Sequence, residues 1–279
     1  MATSSSPSLK EFINKKRQPI ETIKKKVEEQ KTDKQAAKPT TEPSTKPDAE
    51  TTTEPASRTR PITLSPSTIS LFLDCPRCFW LAKNKDIKRP SGPFPSLPNG
   101  MDRVLKEHFN KHRKDNTSPE ELDGRFQGRL FKDIEKLKTW QNNFRGLRYT
   151  DPESGVTLMG AIDDLFVTAD NKHAPLDFKT RGYPRKDNTH EYYQHQMDLY
   201  SFLLEKNSLQ PAEFAILIFY HPTGVNPSHH VVFNPDPVRV PVNRQRAEQI
   251  FLDAVKCLLS PDPPEPSQGC EWCDWKENK

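Results

Sequence analysis

The sequence predicts an α/β fold, a mixed central sheet flanked by helices, for the part of the chain after residue 60. Three observations point there. About 215 residues of mixed composition follow that position, enough for one domain with a sizeable core. Helical and extended patterns alternate along them. The longest apolar string, Phe214-Ala-Ile-Leu-Ile-Phe-Tyr220, is strand-sized and far too short to cross a bilayer.

Taken in order, the apolar spacing predicts an opening helix near 66–82. A Pro-rich loop follows through Lys88-Arg-Pro-Ser-Gly-Pro-Phe-Pro-Ser-Leu-Pro98, then helices near 100–112 and 128–142. Strands are expected near 145–150, 156–168 and 173–180, a helix near 188–206, strands near 213–220 and 229–234, and a closing helix near 242–259. No internal repeat is visible. Residues 1–60 differ in kind: almost without aromatics and rich in Pro, Thr, Lys, Ser and Glu, they cannot bury a core. They read as a disordered basic tail, leaving 61–279 as the folded domain.

Charge follows the same division. The tail holds about 13 Lys and Arg against about 9 Asp and Glu, which accounts for the formal net charge of +4. The folded part is therefore near neutral and is not a strongly basic DNA clamp. A local basic stretch remains, Lys179-Thr-Arg-Gly-Tyr-Pro-Arg-Lys186, suited to phosphate contacts. Neither a signal peptide nor a membrane-length apolar run is present, and the polar, lysine-rich start points to a cytoplasmic, reducing setting.

Two short strings carry chemistry, Gly160-Ala-Ile-Asp163 and Asp177-Phe-Lys179. Leu165-Phe-Val-Thr168 and Ala174-Pro-Leu-Asp-Phe178 read as extended runs joined by Ala169-Asp-Asn-Lys-His173, polar turn material. A turn centred on Asp170-Asn171 sets Asp163 opposite Asp177, within one residue. Opposed Cβ atoms on paired strands lie about 4.5–5.5 Å apart, and the period of two puts Lys179 on the face of Asp177. Carboxylates that close repel unless a cation lies between them, and oxygen-only ligands favour Mg2+ or Mn2+. Such an ion would polarise a phosphate and acidify a water, with the lysine orienting that water or steadying the developing charge.

The chain here resembles the PD-(D/E)XK nucleases of the RecB-like branch. Ser65-x-Ser67-x-Ile69-x-x-Phe72-x-x-Cys75-Pro-Arg is similar to that branch's first helix. Gly160-x-x-Asp163 is similar to its second motif, Asp177-x-Lys179 to its third, and Gln196-x-x-x-Tyr200 to its fourth. The likeness spans roughly residues 62–275 and implies a restriction-endonuclease-like core. It implies Asp163 and Asp177 as ligands of Mg2+ or Mn2+, with the Phe178 carbonyl assisting, and Lys179 as the catalytic lysine. Gln196 and Tyr200, one helical turn apart, would face the site and the nucleic-acid backbone. One departure stands out: relatives carry a histidine in a Gly-x-x-x-His setting, where Gly100-Met-Asp-Arg-Val104 has valine. Asp102 and His108 are the nearby substitutes for a third ligand.

Four of the five cysteines form two pairs, Cys75-Pro-Arg-Cys78 and Cys270-Glu-Trp-Cys273. Two CxxC pairs make a four-sulfur site for zinc or an iron-sulfur cluster. Nucleases of the resembled branch include members whose ends are clamped by an iron-sulfur cluster, with one early and three late cysteines; the two-plus-two pattern here rests on spacing. Cys257 reads as core. His190, His195, His229 and His230 have no ligand partners at a recognisable spacing and read as surface or packing residues.

Two functions follow. The first is a divalent-metal-dependent nuclease acting on DNA, single strands or ends included, in repair, recombination or mobile-element processing. The second, motivated by the missing histidine, is a non-catalytic nucleic-acid-binding or scaffold module on the same fold.

Overall fold

The computed structural model describes residues 62–277; the tail expected over 1–60 lies outside the described residues. Strand β1 (Thr63–Leu64) runs into helix α1 (Pro66–Asp74). Ser65 fixes the start: the Thr68 N–H donates to its Oγ, and its own N–H donates to Thr68 Oγ1 at 2.6 Å. The single opening helix expected near 66–82 is in fact two. Cys75 is extended, as a residue before proline prefers, and Pro76 begins a second helix, α2 (Pro76–Asn84). Helix α3 (Ser96–Asp115) starts inside the Pro-rich stretch and ends on Asn116 in the left-handed conformation.

The helix expected near 128–142 divides into strand β2 (Gly128–Leu130) and a short helix, α4 (Ile134–Trp140), capped by Asp133. The reason is local. Gly128 lies at φ +154, where an added Cβ would meet the Val167 carbonyl oxygen at 2.2 Å, so the backbone lies against a neighbouring strand at a distance only glycine allows.

Strands β3 (Leu147–Thr150), β4 (Thr157–Gly160), β5 (Asp164–Thr168) and β6 (His173–Thr180) follow. The extended run expected over 156–168 thus breaks at 161–163, and its halves join different sheets. β4 is central in a three-stranded sheet, β1-β4-β3. β5 lies in a five-stranded sheet, β2-β5-β6-β7-β8, whose last members are β7 (Phe214–Val225) and β8 (Val231–Pro241). Both sheets are mixed: β1 runs parallel to β4 and β6 parallel to β7, and the other pairs are antiparallel.

β8 carries Pro235, Pro237 and Pro241, which argue against a central strand. All three share parity with one another, opposite Tyr220, Ile218 and Phe214. Their missing N–H groups therefore fall on the side away from β7, where no further strand pairs among the described residues, and they blunt that edge.

A 3-10 turn (Thr189–Tyr193) leads into helix α5 (Gln194–Lys206); helix α6 (Arg244–Leu259) and the short helix α7 (Glu271–Glu277) complete the described elements. Two apolar layers sandwich the larger sheet. On one side Met197, Phe202 and Leu203 of α5 and Phe251 of α6 pack with Leu217 and Phe219. On the other, Leu105 and Phe109 of α3 pack with Phe178, Ile216 and Ile218. The end of β6 is thus held between α3 and α5. No helix among the described residues is long and apolar enough to cross a membrane.

Candidate active site and cysteine cluster

The β5–β6 register pairs Asp164 with Leu176 and Leu165 with Pro175; one step further out, Asp163 stands across from Asp177. Asn171, at φ +63, makes the turn that sets this register. Asp163 itself lies just before β5, in the link from β4. Three hydrogen bonds pin that link: Tyr200 Oη donates to the Ala161 carbonyl at 2.7 Å, the Ile162 N–H to the Trp140 carbonyl at 3.2 Å, and Gln141 Nε2 to the Asp163 carbonyl at 2.7 Å. Gly160 has a steric role. A Cβ there would meet Leu203 Cδ1 at 2.7 Å and the Tyr200 ring at 3.0 Å, so the absent side chain lets Leu203 and Tyr200 of α5 pack closely on β4.

The Asp163 carboxylate accepts the Phe178 N–H on Oδ2 at 3.1 Å. Asp177 is buried, and its Oδ2 lies 2.6 Å from Lys179 Nζ. Gln196 bridges this pair: its Oε1 accepts from Lys179 Nζ at 3.0 Å, and its Nε2 lies 3.3 Å from Asp177 Oδ1. The Lys179 ammonium also sits 4.6 Å from the centre of the Tyr193 ring, a cation–π contact. Asp163, Asp177, Lys179, Gln196 and Tyr200 therefore lie in one connected group, with Phe178 between the acids.

Electrostatics follow from the packing. Burial pushes the Asp177 carboxyl up to about 7; Lys179 opposes the rise and Asp163 adds to it. Burial pulls the Lys179 ammonium down, but Asp177 outweighs it and holds the group above its ordinary value. Burial raises the Tyr200 phenol, which stays protonated. The donor set is oxygen-rich and acidic, which fits a hard divalent ion.

Helix α3 contributes one residue that the sequence reading names, Asp102, and one that it does not, Lys106. Val104 is exposed, and it is Asp102 and Lys106 that face the acids. Lys106 Nζ is 3.0 Å from Asp163 Oδ1 and 2.8 Å from Asp102 Oδ2. Burial, then Asp163, raises the Asp102 carboxyl. Of the two substitutes for a third ligand, Asp102 is thus in the group, while His108 is turned toward Glu121 at 3.4 Å and stacks edge-on with His112. Further along α3, the buried Arg113 pairs with the fully buried Asp164 and donates to the Phe131 carbonyl at 2.6 Å. This ion pair lies one residue from Asp163 and anchors the helix. His195, read as a surface or packing residue, packs: its Nε2 lies 2.6 Å from Ser70 Oγ, tying α1 to the start of α5. In the basic stretch after Lys179, Arg185 is held by Asp236 at 2.7 Å.

Cys75, Cys78, Cys270 and Cys273 form a second site, all buried, with every Sγ within 4.8 Å of the others. It is the one such cluster among the described residues. Sulfur separations are 3.8 Å for Cys75–Cys273, 3.6 Å for Cys78–Cys270 and 3.5 Å for Cys78–Cys273. All exceed the S–S bond length of about 2.05 Å, and the cysteines are free. The α1–α2 break brings up the first pair and the start of α7 the second. Burial raises the Cys78 and Cys273 thiols. At Cys75, backbone hydrogen bonds at Cys78 and Ser267 overcome burial and lower the thiol to about 6. Arg89 reaches in, its Nη2 3.4 Å from Cys270 Sγ, while it also pairs with Asp74.

A mixed sheet with two aspartates and a lysine gathered at the ends of paired strands is the architecture of the restriction-endonuclease-like folds. The chain belongs to the PD-(D/E)XK nuclease superfamily, whose sequence model matches residues 87–277. The match takes in the acidic group, Cys270 and Cys273, and begins after Cys75 and Cys78. No curated protein matches the chain. Among solved structures, the crystal structure of SSO0001 is similar at 14% identity over 75% of this chain and 81% of that one, with a TM-score of 0.35.

Proposed function

We propose that the protein is a divalent-metal-dependent nuclease that hydrolyses DNA phosphodiester bonds. The observation that carries this reading is the convergence of Asp163 and Asp177 from paired strands, with Lys179 on Asp177 and Gln196 joined to both members of that pair. Asp163 and Asp177, with the Phe178 carbonyl, would hold Mg2+ or Mn2+, which supplies Lewis-acid activation of the phosphate and a more acidic water. The residues divide the remaining work. Lys179 is held as an ammonium and acts as a donor to the attacking water or the developing phosphorane charge, rather than as a base. Gln196 fixes where that ammonium points. Tyr200 ties Gln196 to the link bearing Asp163. Arg181 and Lys186, beyond Lys179, suit the DNA backbone, single strands or ends included.

Repair, recombination or mobile-element processing in a reducing, cytoplasmic setting is the context this activity and five free thiols support. At the cysteines we infer a single zinc ion. Tetrahedral geometry with Zn–S bonds of about 2.3 Å spaces sulfurs by about 3.8 Å, close to the 3.5–3.8 Å of the Cys75–Cys273, Cys78–Cys270 and Cys78–Cys273 pairs, with every sulfur within 4.8 Å of the others. An iron-sulfur cluster holds its ligating sulfurs farther apart. Metal analysis tests this: about one zinc per chain in colourless protein is expected, and brown protein carrying iron would reject zinc.

A second reading, a non-catalytic nucleic-acid-binding module, is favoured by the Lys106 ammonium on Asp163. Cleavage assays on labelled single- and double-stranded DNA with Mg2+ or Mn2+ decide between them. Cleavage lost on chelation and in Lys179→Ala supports the nuclease. DNA binding with no metal-dependent cleavage supports the module.

A further inference from the structure

The strand-end acids are matched by a second lysine, from a different element than Lys179, which no sequence motif marks. We propose that Lys106 is a tethered cation that competes with the divalent ion for Asp163, setting how tightly the site takes its metal. The inference rests on the reading of Asp163 as a metal ligand.

The geometry is specific. Asp163 has two carboxylate oxygens. Oδ2 accepts the Phe178 N–H at 3.1 Å, which already uses one of its lone pairs, and Lys106 Nζ lies 3.0 Å from the other oxygen, Oδ1. The same ammonium donates to Asp102 Oδ2 at 2.8 Å. Asp102 sits one helical turn before Lys106, so the two form a preset arm aimed at the acid.

The base of the arm is anchored. Leu105 and Phe109 are buried against the sheet, and Arg113, two turns on, is locked to the buried Asp164. Helix α3 is thereby held against the sheet, and it presents the Lys106 side chain, 21% exposed, to this corner. A positive charge next to a ligand oxygen lowers the affinity for a divalent ion through like-charge repulsion, an effect strengthened where water is partly excluded. Substrate phosphate, bringing negative charge, offers the ammonium a second partner. Metal uptake and substrate binding would thus be coupled through one side chain.

The test is direct Mn2+ binding to the full chain by isothermal titration calorimetry, with no reliance on turnover. Wild type is compared with Lys106→Met and Lys106→Gln, which remove the charge, and Lys106→Arg, which keeps it. The two neutral variants should bind Mn2+ roughly tenfold more tightly, an order-of-magnitude expectation for losing one nearby like charge, and Lys106→Arg should stay near wild type. Unchanged or weaker binding in both neutral variants, with circular dichroism matching wild type, overturns the inference while leaving the metal site standing. An absence of Mn2+ binding in wild type and variants alike rejects the metal site and the inference with it. If Lys106→Met fails to fold, the Lys106→Gln comparison decides on the same criterion.

Discussion

Gln196 Nε2 donates to Tyr200 Oη at 2.8 Å, and the tyrosine passes its own hydrogen to the Ala161 carbonyl at 2.7 Å. The two residues lie one turn apart on α5, and together they connect the Asp177–Lys179 pair on β6 to the β4–β5 link that carries Asp163. Tyr200→Phe keeps the ring that fills the space beside Gly160 and removes only the hydroxyl. It leaves a carbonyl and an amide in a partly buried place with one partner fewer, at a cost of about 1–3 kcal/mol. Urea unfolding should show that loss, and Gln196→Ala made in the Tyr200→Phe background should cost less than in wild type, because the contact is already gone. Additive costs would show that the two side chains do not act as a unit.

Arg113 and Asp164 make the second relationship that reaches the site. Both are buried, and burial raises the Asp164 carboxyl even though Arg113 opposes the rise. Breaking a buried pair from one side strands a charge, typically at about 3–5 kcal/mol. Arg113→Met or Asp164→Leu alone should destabilise the protein by that order, and the double substitution should recover much of the loss. Denaturant unfolding of the three variants measures it, and a double variant as unstable as the sum of the singles would contradict the argument.

The sequence disclosed the hairpin because its signals are local. Turn residues at Asp170 and Asn171 sit between runs of period two, and counting outward from the turn reaches Asp163 and Asp177. Gln196 and Tyr200 are singled out by the resemblance to the family's fourth motif, and their four-residue interval adds only that both share one helix face. Lys106 and Arg113 escaped for the opposite reason. On α3 no motif or spacing sets them apart from the neighbouring charged residues, and only the packing of Leu105 and Phe109 on the sheet turns them toward Asp163 and Asp164. The strand at Gly128–Leu130 escaped because three residues carry no period, and its cause is a neighbour, Val167, distant in sequence. The prolines of β8 hid a long edge strand, since their shared parity has meaning only once the partner strand is known.

The raised carboxyl of Asp177 gives a pH dependence with a definite sign. In the unfolded chain the group titrates near 3.8, and in the folded chain near 7. Between those values the folded state keeps a proton that the unfolded state has lost. Stability therefore falls as pH rises through this window and levels off above it. The measurement is thermal or urea unfolding from pH 4 to 8 in EDTA, comparing wild type with Asp177→Asn. Asp102 and Asp164 are raised as well, so the informative quantity is the difference between the two proteins. It should grow in favour of Asp177→Asn up to about pH 7. A flat difference would mean that Asp177 ionises as freely in the fold as in the open chain.

Charge balance at the cysteines sets the last prediction. Four thiolates around one divalent ion leave two negative charges in a buried place, and such charge needs a counter-ion nearby. Arg89 is placed for it: it approaches Cys270 Sγ at 3.4 Å and is itself held by Asp74. Groups of this kind, which touch a ligand and not the metal, typically alter affinity about 10–100-fold when removed. Arg89→Met should therefore release its metal to a chromogenic chelator at least about tenfold faster than wild type, with Arg89→Lys between them. Because the site joins the α1–α2 corner to α7, chelation should also lower the melting temperature of wild type. It should leave Cys78→Ser, which lacks a ligand from the outset, almost unchanged. Equal release rates in wild type and Arg89→Met would show that the guanidinium serves Asp74 alone. An identical melting temperature with and without chelator would show that the four sulfurs pack as thiols and hold nothing.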